Sequence, residues 1–108
     1  MRALIATDGS AAADIAVELA ANIHWPPETQ LRVVTVVEPP PPAVGAEWTG
    51  LADSAYPSER DAEARTVLDA AAKTLTRSGV EVSCRVMHGH AATEILQNAH
   101  DFAADLII

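Results

Sequence analysis

The sequence predicts an α/β protein with a parallel sheet and helices on both faces. Three observations carry this. Short apolar runs, rich in β-branched residues, alternate along the chain with stretches of helical period, in the order β-α-β-α-β-α-β. Such alternation implies right-handed crossovers between parallel strands. Alanine is plentiful and aromatic residues are scarce, so the core is aliphatic and helix-rich. The 108 residues suffice for one small domain, 1–108.

The first strand is "ALIAT", Ala3 to Thr7, a nearly continuous apolar run. "DGS" ends it, a turn with helix-start chemistry. Asp8 and Ser10 accept backbone amides there, and Gly9 eases the bend. The first helix runs from about Ser10 to His24, with Ile15, Leu19 and Ile23 in one row. Ala12, Ala16 and Ala20 form the adjacent row and permit close approach to a sheet, and Pro26-Pro27 ends the helix. "LRVVTVV", Leu31 to Val37, is the second strand. A proline-led loop of about twenty residues follows, and loops beyond about 12–15 residues are usually functional or disordered. Trp48 and Tyr56 in that loop either cover a ligand or pack the loop down; packing is the simpler role.

The second helix is expected from Ser58, with Ser58 and Asp61 at capping-box spacing and Gly79 as its C-cap. Ala64, Val67, Leu68, Ala71, Ala72 and Leu75 form its buried stripe. "VEVSCRVM" alternates, placing Val80, Val82, Cys84 and Val86 on one face of an edge strand, with Cys84 as a small core residue rather than a reactive thiol. The third helix lies in "HGHAATEILQNAHDFAA", with Ile95, Leu96, Ala99, Phe102 and Ala103 inward, and "DLII" begins the fourth strand.

The formal net charge of −8 argues against nucleic acid and anionic membrane as partners. A bound phosphate would be held by backbone amides or a metal, since no lysine cluster exists. One cysteine excludes an intrachain disulfide and fits a cytoplasmic location. No stretch reads as a signal peptide or a membrane span.

In open parallel sheets ligands bind beyond the carboxyl ends of the strands. Asp8 therefore has two readings: a carboxylate for ribose hydroxyls or a nucleotide-bound metal, and a cap of the turn. The turn alone favours the cap. Ser10 lacks the glycine elbow of a nucleophile. His88-Gly89-His90 offers two metal ligands but no partner at standard spacing, and His24 and His100 belong to other helices, so no metal site is assigned. Glu94, Asp101 and Asp105 read as a solvated face and a helix-to-strand junction.

Taken together, "ALIATDGS" before an alanine-rich helix, "VVTVVEPPPP", and "GHAATEILQNAHDFAADLII" resemble the universal stress protein family. The last stretch is the specific one, with Gly89, Ala91, Ile95, Ala99 and then Asp105-Leu106-Ile107-Ile108. The resemblance implies an adenine-nucleotide α-hydrolase-like fold with strand order 3-2-1-4-5. It implies stress-response or regulatory function, and for many members ATP, with Mg or Mn, and a homodimer formed through the fifth strand. It assigns Ala6, Thr7, Asp8 and Val36 to the nucleoside, with Gly89 at the pocket border. The family's glycine-rich phosphate loop follows "DLII", where this chain ends. The expectation is a domain incomplete at its C-terminus, with order 3-2-1-4, that holds ATP weakly. Its alternative function is a non-nucleotide dimerisation or interaction module. Enzyme activity is at most a slow ATP hydrolysis, because no general base, metal cluster or activated nucleophile is present in the pattern.

Overall fold

The computed structural model describes residues 1–38 and 49–108, with side chains from Arg60 onward in the second part. Four parallel strands, β1 (Arg2–Ala6), β2 (Gln30–Val37), β3 (Glu81–His88) and β4 (Leu106–Ile107), form one sheet in the order β3-β2-β1-β4. Three helices connect them: α1 (Ala11–Ala21), α2 (Thr49–Thr76) and α3 (Ala91–Phe102). The order steps away from β1 in one direction for β2 and β3, then returns across β1 to β4. That reversal puts α1 and α2 on one face and α3 on the other.

Alternation along the strands makes two apolar layers. Ala3 and Ile5 of β1 and Leu31 and Val33 of β2 face α1 and α2, where they meet Val17, Ala20, Leu68, Ala71 and Leu75. Leu4 and Val34, both fully buried, point to the opposite face, beneath α3 with its buried Phe102. β1 is thus covered on both faces and paired on both edges, which is why its sequence is almost continuously apolar.

Several expectations change. α2 begins at Thr49, well before Ser58, so Ser58 and Asp61 lie inside the helix and form no capping box. Once nucleated, the helix gains one hydrogen bond per added residue, and Leu51, Ala52 and Ala55 favour that extension past Pro57. The proposed roles of Trp48 and the Tyr56 side chain fall outside the described residues. α1 stops at Ala21, and the Trp25 indole donates to the Ala20 carbonyl at its end. The Ile15 and Leu19 row is about two-thirds exposed, while Val17, Ala20 and Ala21 meet the core. α1 is apolar on more than one side, so packing alone decides which row is buried.

Cys84 is exposed rather than part of the core. Its neighbours Val82 and Val86 pack against the core, but β3 is an edge strand that α2 covers only in part. On α3, Leu96 is 64% exposed, and Asn98 and Phe102 are the buried pair. Ala103 is the left-handed C-cap of that helix and is exposed, so it cannot belong to an inward stripe. β4 is not buried: Leu106, Ile107 and Ile108 remain partly exposed at the sheet edge.

The turn after β1 presses against α2. Gly9 has φ +79°, and a Cβ built on it would lie 2.8 Å from Val67 Cγ2. Gly79 has the same φ but open space around it. Both substitutions to alanine therefore carry the backbone cost of about 1–2 kcal/mol, and Gly9→Ala carries a packing cost as well. Chemical denaturation should show Gly9→Ala as the more destabilised, with Val67→Ala recovering part of the difference. Equal losses at the two glycines would contradict the close approach.

Candidate functional site

The carboxyl ends of β1 and β2 open into a cavity of about 400 Å³. The β1 exit contributes Ala6, Thr7, Asp8 and Ser10, and α1 contributes Ala13. Val34, Thr35, Val36 and Glu38 come from β2 and its exit, and Ala91 and Ile95 from the start of α3. The cavity lies beyond the carboxyl ends of the strands, the side on which ligands usually bind in such sheets.

Hydrogen bonds fix the β1 exit. The Thr7 N–H donates to the Val34 carbonyl at 2.9 Å, carrying the strand pairing one residue past Ala6. The buried Thr35 hydroxyl donates to the Thr7 carbonyl at 2.5 Å. The Gly9 N–H then turns back to Thr7 Oγ1 at 3.2 Å. Ser10 caps α1 by accepting the Ala13 N–H at 3.2 Å. Asp8 Oδ1 accepts the Ser10 N–H at 2.9 Å. The carboxylate thus has one fixed oxygen and is otherwise open to the crevice. The Ser10 hydroxyl, and then its backbone N–H, hold the Asp8 carboxyl below the usual carboxylate range. It is ionised at neutral pH.

α3 begins without a side-chain cap, since His90 makes no capping bond. Its first-turn amides lie beside Ala91 at the crevice wall. Val34, Val36 and Ile95 give that wall apolar surface suited to a flat ring. Among the described residues no lysine or arginine lines the cavity, and Asp8 and Glu38 give it negative charge. The residues present suit the uncharged nucleoside part of a nucleotide. A polyphosphate would depend on backbone amides or on a bound divalent cation.

Of the residues singled out in the sequence, Ala6, Thr7, Asp8 and Val36 are brought together here. Gly89 does not line the cavity. It lies just past β3 with φ +139°, its N–H donates to the Val37 carbonyl at 3.0 Å, and a Cβ there would meet Glu94 Oε1 at 2.7 Å. The backbone conformation requires glycine at this position, whereas the Glu94 carboxylate, at the end of a flexible side chain, could move aside. The lining residues that sequence reasoning missed are Ala13, Thr35, Glu38, Ala91 and Ile95. Ala91 and Ile95 are four apart at the start of one helix, a spacing that signals a shared face.

His88 and His90 do not converge on a metal. His88 Nε2 lies 2.6 Å from Asp61 Oδ1 on α2, and among the described residues no cluster of three or more candidate ligands forms. Cys84 likewise shows no sign of activation: partial burial, with Asp69 adding to it, pushes its thiol up. A larger cavity of about 770 Å³ lies at the opposite end of the sheet, around Trp25, Glu28 and Gly79. It sits at the amino ends of the strands, away from the open helix N-termini, and is a weaker ligand candidate despite its size.

These features define an open parallel α/β domain with a crevice beyond the carboxyl ends of β1 and β2. The chain belongs to the universal stress protein family, whose family model matches residues 1–108. A family protein from Burkholderia pseudomallei is 30% identical, with a TM-score of 0.61, the match covering 98% of this chain and 77% of that one. The hypothetical protein MJ0577 superposes with a TM-score of 0.82 at 20% identity, covering 98% of this chain and 71% of that one. A universal stress protein in complex with cAMP gives a TM-score of 0.68 at 19% identity, covering 99% and 69%. No curated protein sequence matches the chain at a significant level. No described helix is long and apolar enough to cross a membrane.

The lowered pKa of Asp8 sets a sign. A carboxylate whose folded pKa is depressed adds stability above its unfolded pKa and loses it as pH falls through the folded value. Asp8 is well exposed, so solvent screening keeps this effect small. Denaturation of wild type and Asp8→Asn between about pH 5 and pH 2 should show the wild type losing more stability on acidification. Parallel curves would show that the Ser10 contacts do not favour the ionised form.

Proposed function

We propose that the protein is a cytoplasmic stress-response regulator that binds an adenine nucleotide in the crevice beyond β1 and β2. The observation that carries this is the Asp8 carboxylate, ionised and held by Ser10 beside an apolar wall. In this reading the base lies against Val36 and Ile95, and Asp8 accepts hydrogen bonds from ribose hydroxyls. The cAMP complex of a structural relative adds support for the ligand class. ATP is the proposed nucleotide, with Mg²⁺ or Mn²⁺ offsetting the negative charge of the phosphates and of the cavity. The binding event biases assembly or partner choice; the described residues of the crevice supply no acid-base pair of an efficient hydrolase.

Calorimetry with adenosine, AMP and ATP tests the site. Hydrogen bonds to a charged group contribute about 1.5–3 kcal/mol, so Asp8→Ala should weaken adenosine binding about tenfold or more. The lost turn cap should cost only about 1 kcal/mol of stability. ATP should gain little over AMP without a divalent cation. A large stability loss with unchanged affinity would contradict the assignment. Absence of nucleotide binding in a folded, dimeric protein would favour the alternative, an interaction module of the same fold.

Homodimerisation is the second part of the proposal. Among the described residues β4 is the outer strand on its side of the sheet, with Leu106, Ile107 and Ile108 partly exposed, and an apolar strand at a sheet edge pairs readily with another. Light scattering should give a dimer mass, shifted toward monomer by Ile107→Lys. A monomer unaffected by the substitution would count against the β4 edge as the interface.

A further inference from the structure

The sheet face beneath α3 carries a second concentration of charge, opposite in sign to the molecule as a whole. Leu4 pairs in register with Arg32, and Val34 with Arg85. Alternation therefore places Arg2, Arg32 and Arg85 on one face, on three adjacent strands. The ion pairs among the described residues are Arg77–Glu18 and His88–Asp61, and neither uses these arginines. Arg32 stacks over the Phe102 ring at 4.2 Å, and Arg2 lies 5.7 Å from the same ring. Arg32 also donates to Asn98 Oδ1 at 3.4 Å. Burial, then Arg85 and Arg2, lower the Arg32 pKa, against a partial offset from Asp101. The guanidinium groups thus repel one another, and a carboxylate placed beside them would relieve that repulsion.

Among the described residues β3 is the terminal strand of the sheet on this side. All eight of its residues are in register with β2, so its outer edge is long and regular and presents main-chain donors and acceptors. We propose that this edge takes up an extended acidic segment of a partner protein, which lies beside β3 with a carboxylate against Arg85. Main-chain pairing supplies affinity in such strand addition, and alternate side chains supply specificity.

The strand's own pattern sets the segment's chemistry. Arg85 is exposed on the α3 side, with Arg32 one strand behind it. Glu81 stands at the start of the same face and disfavours a second acid opposite it. On the other face Val82, Cys84 and Val86 favour apolar partners. The matching segment therefore alternates apolar and acidic residues. The net charge of −8 opposes nucleic acid or an anionic vesicle, which would present a dense array of charge to the whole molecule. A short acidic segment meets only the arginine face.

The test uses fluorescence anisotropy with the labelled peptide Thr-Val-Glu-Val-Glu-Val-Thr. The expected result is saturable, salt-sensitive binding. Arg85→Glu should weaken it about tenfold, since an opposite-charge cross-strand pair becomes a like-charge one, whereas Arg85→Lys retains most of it. Replacing the glutamates with lysine, or N-methylating alternate backbone amides, should abolish binding. Thermal melts of the Arg85 variants check folding. No binding at millimolar peptide, or binding indifferent to both Arg85→Glu and N-methylation, overturns the proposal. So does equal affinity for a single-stranded oligonucleotide or a phosphatidylserine vesicle. Adenosine should not compete with the peptide, so failure here and failure of the crevice assignment are separable.

Discussion

The parallel pairing of β1 with β2 organises the molecule. Arg2 through Ala6 run in register with Gln30 through Val34, and Ala3, Leu4 and Ile5 are completely buried. β1 also pairs with β4 on its other edge. A strand with neighbours on four sides has little freedom to shift. Slipping by one residue would exchange the Ala3 and Ile5 face with the Leu4 face and disrupt both apolar layers. The same constraint fixes where β1 ends, and hence where Asp8 emerges. The precision of the site is therefore inherited from the core.

The interior and the crevice obey different rules. Burial of aliphatic side chains holds α1 and α2 to one face, each fully buried residue contributing about 1.5–3 kcal/mol. The crevice is built from backbone hydrogen bonds and short side chains, with Thr35, Thr7 and Ser10 closing a tight network around the turn. Such a network leaves Asp8 ionised and fixed at one oxygen. It also leaves the crevice negative, a condition that sets limits on any phosphate-bearing ligand. Positive charge is instead placed across the sheet, with Arg32 stacked on Phe102. Arg2, Arg32 and Arg85 thus share the sheet face beneath α3, with Glu81 and Asp101 nearby, while the crevice carries Asp8 and Glu38.

Much of this was legible in the sequence. The alternation of elements gave the layer architecture, and the family resemblance supplied the order that the structure shows. The stripe of Ala64, Leu68, Ala71 and Leu75 on α2 was readable because its apolar spacing has a polar background. α1 was less so: Ile15 and Leu19 make as good a row as Val17 and Ala21, and only contact with the sheet chooses between them. Cys84 obeys the strand alternation yet is exposed, because sequence period reports a face and not how completely a helix covers it. The start of α2 was hidden by Pro57 and Ser58, whose usual meaning as boundary signals yields here to helix propagation. Of the residues that the resemblance assigns to a nucleoside, Ala6 through Asp8 and Val36 line the crevice. The sequence reads Ile95 as a core residue, since a pocket wall and a core stripe have the same spacing on a helix.

Backbone amide chemical shifts on titration with adenosine give the most direct test of the central claim, that the crevice at the β1 exit is the ligand site. The account predicts perturbations confined to Ala6–Ser10, Val36 and Ala91–Ile95, saturating together. Perturbations centred instead on Trp25, Glu28 and Gly79, at the opposite end of the sheet, would contradict it.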